Sequence, residues 1–264
     1  MCKIGVLMWC DELTAEKYGN TSYKINKLYC DKHGYDLVFS SERRHNRVDL
    51  AWEKLPMVIE YLDKYDYVIW IDADAHFYID RGPVGDVIGE HPDAHVIFSG
   101  EDVGPVNEDN DIGINTGIFI VKNTSEAKEI LTKWAYDEAL FDLGLRDWEQ
   151  GVVRRMHSLN MLQLRNLSVI VPYGKLQSFE QIDEYPYSGQ VHRKLEPCSK
   201  RRDEYPYVRH FAGGFKRYYG IKKTFRRYLK QIHDGVARVP LQTRIINEVA
   251  FSDILTAPKS QDLR

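Results

Sequence analysis

The chain has 264 residues, 43% of them hydrophobic, which is enough to bury a substantial core, and α/β domains of this length commonly remain single. Its 36 basic and 39 acidic residues leave a formal charge of -3, which excludes a global attraction to nucleic acid or anionic lipid and leaves any polyanion to a local patch. No stretch approaches the roughly 18 uninterrupted apolar residues of a membrane span, the N-terminal apolar run is cut at Trp9-Cys10-Asp11-Glu12, and with no secretory signal the expected setting is cytoplasmic.

The four cysteines, Cys2, Cys10, Cys30 and Cys198, lack paired CxxC spacing, so reduced thiols are expected rather than a zinc site or a disulfide framework. Asn20, Asn123 and Asn166 each begin a glycosylation sequon, read as chance matches without a secretory route.

In chain order, Lys3 to Trp9 reads as a buried strand, since five of its seven residues are apolar. Ser22 to His33 reads as a helix ended by Gly34, and Tyr35 to Phe39 resumes as a strand, which makes a βαβ unit. Leu55, Val58, Ile59 and Leu62 fall at i, i+3, i+4 and i+7, one buried face of a helix. Tyr67-Val68-Ile69-Trp70-Ile71 is a continuous apolar run, as expected of a central parallel strand covered on both faces, and it stops at Asp72-Ala73-Asp74. His95 to Ser99 and Gly117 to Val121 read as strands flanking a polar loop that carries Glu101, Asp102, Glu108, Asp109 and Asp111, a candidate cleft wall. Asn123 followed by Glu126 signals an N-cap, ahead of a helix whose inner face is Ala127, Ile130, Leu131 and Trp134. Val169 to Val171 reads as a late strand, and Gln177 to Tyr207 as a long irregular excursion suited to setting specificity.

Two carboxylates one residue apart at the carboxyl end of a central strand stand where open α/β sheets bind ligands. Their oxygens suit a hard divalent cation, which can neutralise a departing diphosphate, and transfer of a sugar from a nucleotide donor requires that service. A bare Asp-x-Asp fits a turn cap nearly as well, and the preceding strand shifts the balance toward a site. Haloacid-dehalogenase-type phosphatases also place Asp-x-Asp after a buried strand. They use the first strand and continue to Thr or Val, whereas here the pair follows about the third and continues Ala75-His76.

Four blocks then occur in one order: Trp70-Ile71-Asp72-Ala73-Asp74-Ala75, Asn115-Thr116-Gly117-Ile118-Phe119, Asp147-Trp148-Glu149-Gln150, and His210-Phe211-Ala212-Gly213-Gly214-Phe215-Lys216. The series resembles glycosyltransferase family 34, which includes α-galactosyl-, α-mannosyl- and xyloglucan xylosyltransferases, and more distantly the glycogenin-type family 8. The resemblance covers roughly residues 3 to 216. It implies a GT-A fold with retention of anomeric configuration: an α/β architecture with a Rossmann-like, mostly parallel central sheet flanked by helices. A basic C-terminal helical extension is expected too, with the catalytic domain over 1–239 and 240–264 as a C-terminal helix and tail packed on or extending from it.

The same resemblance implies roles residue by residue. Asp74 and His210 would ligate Mn²⁺ or Mg²⁺, and Asp72 would be shared between metal and donor ribose. Ala73, Asn115, Thr116 and Gly117 would face the donor, with Asn115-Thr116-Gly117 as a turn. Gly213 and Lys216 would meet its diphosphate, although this lysine lies six residues after the histidine with a Phe before it. Glu149, Gln150 and Asp147 would lie beneath the anomeric carbon as catalytic candidates. Met8 would line the nucleotide pocket, and Trp52 with Lys54 resembles a Trp-x-Lys element leading into the helix before the acidic pair. The expected partners are a nucleotide sugar, UDP-linked in preference to GDP-linked, and a glycan or glycoconjugate acceptor.

From Arg209 to Arg238 nine basic residues face one acid, Asp234, with aromatics interleaved. A solvated helix packing its aromatics back on the domain is favoured there over weak membrane-surface contact, and nucleic acid ranks last. A non-catalytic carbohydrate-binding module is the remaining alternative.

Overall fold

The computed structural model describes residues 2–101, 113–141, 148–178, 206–211 and 221. A six-stranded sheet runs in the order β2-β1-β3-β6-β5-β7, built from β1 (Ile4–Trp9), β2 (Asp36–Ser40), β3 (Tyr67–Ile71), β5 (Val96–Gly100), β6 (Ile114–Lys122) and β7 (Ser168–Val171). Strand β6 is antiparallel to both β3 and β5, while β1 pairs in parallel with β2 and β3, and β5 with β7. The sheet is therefore mostly parallel, as expected, but β3 has one parallel and one antiparallel neighbour rather than two parallel ones. A second sheet, β4-β9-β8, is formed by β4 (Ala75–Phe77), β8 (Gln177–Ser178) and β9 (Val208–His210).

The helices are α1 (Glu12–Thr14), α2 (Asn20–His33), α3 (Lys54–Leu62), α4 (Gly85–Glu90), α5 (Ser125–Tyr136), α6 (Glu138–Phe141), α7 (Trp148–Ser158) and α8 (Leu164–Leu167). Residues of the apolar strands alternate between two cores, because successive side chains point to opposite faces. Leu7, Trp9, Val68, Trp70, Phe119 and Val121 join α3, α5, α7 and α8 on one side. Ile4, Val6, Met8, Ile69, Ile71, Ile118 and Ile120 join α2, α4, β4 and β9 on the other. With helices on both sides, an unbroken apolar run is the pattern such strands need.

Local signals set the boundaries. Gly34 ends α2 in the left-handed conformation, φ 72°, which a Cβ would disfavour. Helix α5 is capped by Thr124, whose hydroxyl accepts from the Ala127 N–H at 3.2 Å, and not by Asn123, whose amide donates instead to the Tyr65 carbonyl at 3.1 Å. The expected inner face of α5 is fully buried. Cys2, Cys10 and Cys30 are free thiols, and burial pushes the Cys10 thiol up to about 12. Among the described residues no helix is long and apolar enough to cross a membrane. The 240–264 helix and tail, nearly all of the basic 209–238 segment, and Cys198 lie outside the described residues.

Candidate active site

The end of β3 turns back sharply: the Ala75 N–H donates to the Asp72 carbonyl at 2.9 Å, so Asp72-Ala73-Asp74 forms the turn between β3 and β4. Two features hold the acidic pair in place. The Asp72 N–H donates to the Gly117 carbonyl at 2.8 Å, tying the turn to the start of β6. On the far side, Asn26 of α2 grips β4, donating to Ala75 O at 3.2 Å and accepting from Phe77 N at 2.9 Å. Because β6 is antiparallel, its first residues arrive at the same edge as the carboxyl end of β3.

His210 reaches this turn through β9, which pairs with β4 so that His210 stands opposite Ala75. Its Nε2 lies 3.2 Å from Asp74 Oδ1 and 3.9 Å from Asp72 Oδ2, and one ligand atom from each of the three residues falls within 4.8 Å of the others. Asp74 and His210 are buried, Asp72 half-buried. Two carboxylates and an imidazole suit a divalent cation such as Mn²⁺, for which carboxylate and nitrogen donors are both good ligands. The three residues expected to ligate metal are thus brought together.

Lys54 is the charge that makes this concentration of acid tolerable. Its Nζ lies 2.7 Å from Glu149 Oε1 and 3.2 Å from Asp72 Oδ1, with side chains of Lys54 and Glu149 only 5% and 4% exposed. Burial alone would lower the ammonium, but the two carboxylates outweigh it and hold Lys54 above the ordinary lysine range. Burial likewise pushes Glu149 up, against the opposing pull of Lys54. Trp70 Nε1 donates to Asp72 Oδ1 at 2.7 Å, so that oxygen is already claimed from two directions and Oδ2 is the one facing His210. Lys54 was expected to contact a donor; it is instead sealed among protein carboxylates.

Thr116 links this ion cluster to α7. Its N–H donates to Gln150 Oε1 and its hydroxyl to Glu149 Oε1, both at 2.9 Å, while its carbonyl accepts from Lys54 at 3.2 Å. Asn115-Thr116-Gly117 is part of β6 and not a turn before a strand. The register between β5 and β6 shifts here, Phe98 pairing with Phe119 but Ser99 with Asn115, so residues 116 to 118 form a bulge in that pairing. Gly117 is required by contact: a Cβ there would sit 2.2 Å from His210 Cε1. Met8, expected at a nucleotide pocket, is fully buried in the core between β1 and α2, with Asn26 Nδ2 3.7 Å from its sulfur. Asp147, Gly213, Lys216 and the acidic loop residues Asp102, Glu108, Asp109 and Asp111 lie outside the described residues. Glu101 is described and pairs with Arg154.

Sequence reasoning missed Asn26 and Gln177. Asn26 is a polar residue on the buried face of α2, and that misplaced polarity was its only signal. Gln177 opens the aperiodic polar stretch and gave none.

Residues 6–82 match the galactosyl transferase GMA12/MNN10 family. Xyloglucan 6-xylosyltransferases 1 and 2 of Arabidopsis thaliana are 25% and 26% identical over 134 residues, 48% of this chain. The match spans 28% of each relative's length. Among solved structures, a glycosyltransferase involved in glycosylation of the major capsid of PBCV-1 superposes with a TM-score of 0.61 at 15% identity, covering 84% of this chain and 99% of that one. The galactosyltransferase LgtC, solved with donor and acceptor sugar analogs, gives 0.51 at 11% identity, covering 91% and 99%. With its acidic turn at the end of β3 and these likenesses, the chain has the GT-A glycosyltransferase fold and, in its first third, the sequence pattern of the GMA12/MNN10 galactosyl transferase family.

Proposed function

We propose that this protein moves a sugar from a nucleoside-diphosphate donor to a hydroxyl of a glycan or glycoconjugate, with a divalent cation held by Asp72, Asp74 and His210. The observation that supports this best is the convergence of those three side chains at the carboxyl end of β3 in a GT-A fold. A cation bound there supplies positive charge to the diphosphate as it leaves. A uridine diphosphate sugar with Mn²⁺ is the favoured combination, and Mg²⁺ or a guanosine diphosphate sugar is the second choice.

The chain's own residues divide the remaining work. Lys54 pairs with Asp72 Oδ1 and Glu149 Oε1, so Asp72 Oδ2 stays available to cation or ribose. Gln150 is fixed by its acceptor bond from Thr116 N at 2.9 Å, and in this reading its amide nitrogen would meet the sugar. Retention through a covalent intermediate would require a carboxylate free to attack the anomeric carbon. Glu149 is buried and committed to Lys54 and Thr116, which supports front-face departure, in which an oxocarbenium-like state is stabilised instead. A phosphatase reading would need Asp72 as nucleophile on a haloacid-dehalogenase scaffold, and the GT-A likeness does not favour it. A carbohydrate-binding module leaves the cation ligands without a purpose.

The test is a thermal-shift panel of nucleotide sugars with and without Mn²⁺, since a bound donor raises Tm by mass action. One donor should stabilise the protein only when Mn²⁺ is present, and Asp74→Ala should lose both that shift and transfer. Equal activity in EDTA would sink the cation assignment.

A further inference from the structure

We propose that Gln177 is a positioning residue that presents Nε2 of His210 to the cation, and that the peptide N–H of Gly117 dictates the tautomer of that ring through two intervening side chains. The inference rests on reading Asp72, Asp74 and His210 as cation ligands.

The chain of reasoning starts at the backbone. The Gly117 N–H can only donate, and it lies 2.8 Å from the Asn115 side chain, so the Asn115 atom facing it is the oxygen, Oδ1. That same Oδ1 lies 2.6 Å from the Gln177 amide, which must therefore present its nitrogen, Nε2. The other end of Gln177 is then its oxygen, Oε1, 3.0 Å from His210 Nδ1. An oxygen there needs a proton on Nδ1, so the neutral ring carries its lone pair on Nε2, the nitrogen 3.2 Å from Asp74, and a cation between the two takes both lone pairs. Reversing any one amide sets two acceptors or two donors against each other at the next contact. Gln177 and Asn115 are buried, so water cannot absorb the mismatch. The strands supply the geometry: β8 runs parallel to β9 with Gln177 opposite Val208, one strand repeat from His210. A ligand imidazole held through its second nitrogen is oriented and tautomer-selected before the ion arrives.

Mn²⁺ binding by the full chain, read from the EPR signal of the free ion, would be compared in wild type, Asp74→Ala, Gln177→Ala and Gln177→Leu, the last keeping side-chain bulk. Alongside, ¹⁵N-histidine NMR of the protein with diamagnetic Mg²⁺, at a pH where the His210 ring is neutral, reads which nitrogen carries the proton, the signal assigned by its loss in His210→Gln. Wild type should bind and show the Nδ1–H form, and Asp74→Ala should lose binding. Both Gln177 variants should bind about 10–100-fold more weakly and lose the single tautomer. Wild-type affinity in a folded Gln177 variant, or an unchanged tautomer, overturns the role of Gln177. If Mn²⁺ binding is the same in wild type and Asp74→Ala, the cation reading falls and takes the metal half of this proposal with it, and the nitrogen shifts still decide the tautomer half.

Discussion

Lys54→Met would remove the ammonium between Asp72 and Glu149 and leave a side chain of similar length. The size of the effect depends on how the three groups see water. An exposed ion pair contributes about 0–1 kcal/mol, whereas breaking a buried one costs about 3–5 kcal/mol because the abandoned charge cannot be solvated. Asp72, with its side chain 28% exposed and a Trp70 hydrogen bond, can return to water. Glu149, at 4%, cannot, and its Oε2 already has no hydrogen-bond partner among the described residues. The loss is therefore assigned to Glu149, at about 3 kcal/mol or more, a large share of the roughly 5–15 kcal/mol that holds a domain together. Urea denaturation would measure it, with an unchanged slope confirming that stability alone has moved. The sign with pH follows. Burial already raises Glu149 above the ordinary 4.5, and without Lys54 it rises further. The folded state then binds the proton more tightly than the unfolded one, so stability is present below about 4.5 and lost as pH climbs through the raised value. The variant should thus gain stability relative to wild type on acidification, and Glu149→Gln in the Lys54→Met background should recover most of the loss. A cost below about 1 kcal/mol, as for a surface pair, would refute the account of a sealed ion cluster.

Gly117→Ala introduces no backbone strain, since Gly117 is not among the positive-φ glycines, so its effect is purely one of contact. The new methyl, 2.2 Å from His210 Cε1, would force the ring back by about 1.3 Å or more to reach ordinary van der Waals separation. Mn²⁺ affinity should fall at least tenfold while Tm drops by only a few degrees, measured by EPR titration and differential scanning calorimetry. Asn26→Ala strips partners from a buried carbonyl and a buried N–H on β4, at about 2 kcal/mol or more in urea denaturation, and a loss under 0.5 kcal/mol would show that β4 does not depend on this grip.

How much of this was legible depended on where each residue's partners lie along the chain. Strand β3 and its acidic turn were plain because an apolar run ending in two aspartates is a local pattern, and the α5 face was plain for the same reason. Asn115 to Gly117 misled because polar and glycine residues signal a turn, whereas here their polarity is satisfied across the sheet by Gln150 and Gln177, neighbours that no local window contains. Lys54 read as a donor contact through the resemblance of its Trp-x-Lys element. Its carboxylate partners at 72 and 149 come from β3 and α7, and only the fold brings them to it. His210 entered through the resemblance of ordered blocks and would have passed as an ordinary histidine without them.

The pairing of β4 with β9 has a consequence for the order in which the protein acquires its parts during synthesis. All six strands of the large sheet have been synthesised once Val171 is made. Asp72 and Asp74 are by then part of the chain, on the segment between β3 and β4. Neither the strand that delivers His210 nor the one that delivers Gln177 has yet appeared. Scaffold and chemistry thus mature at different times, and a nascent chain can hold most of its core before it can hold an ion.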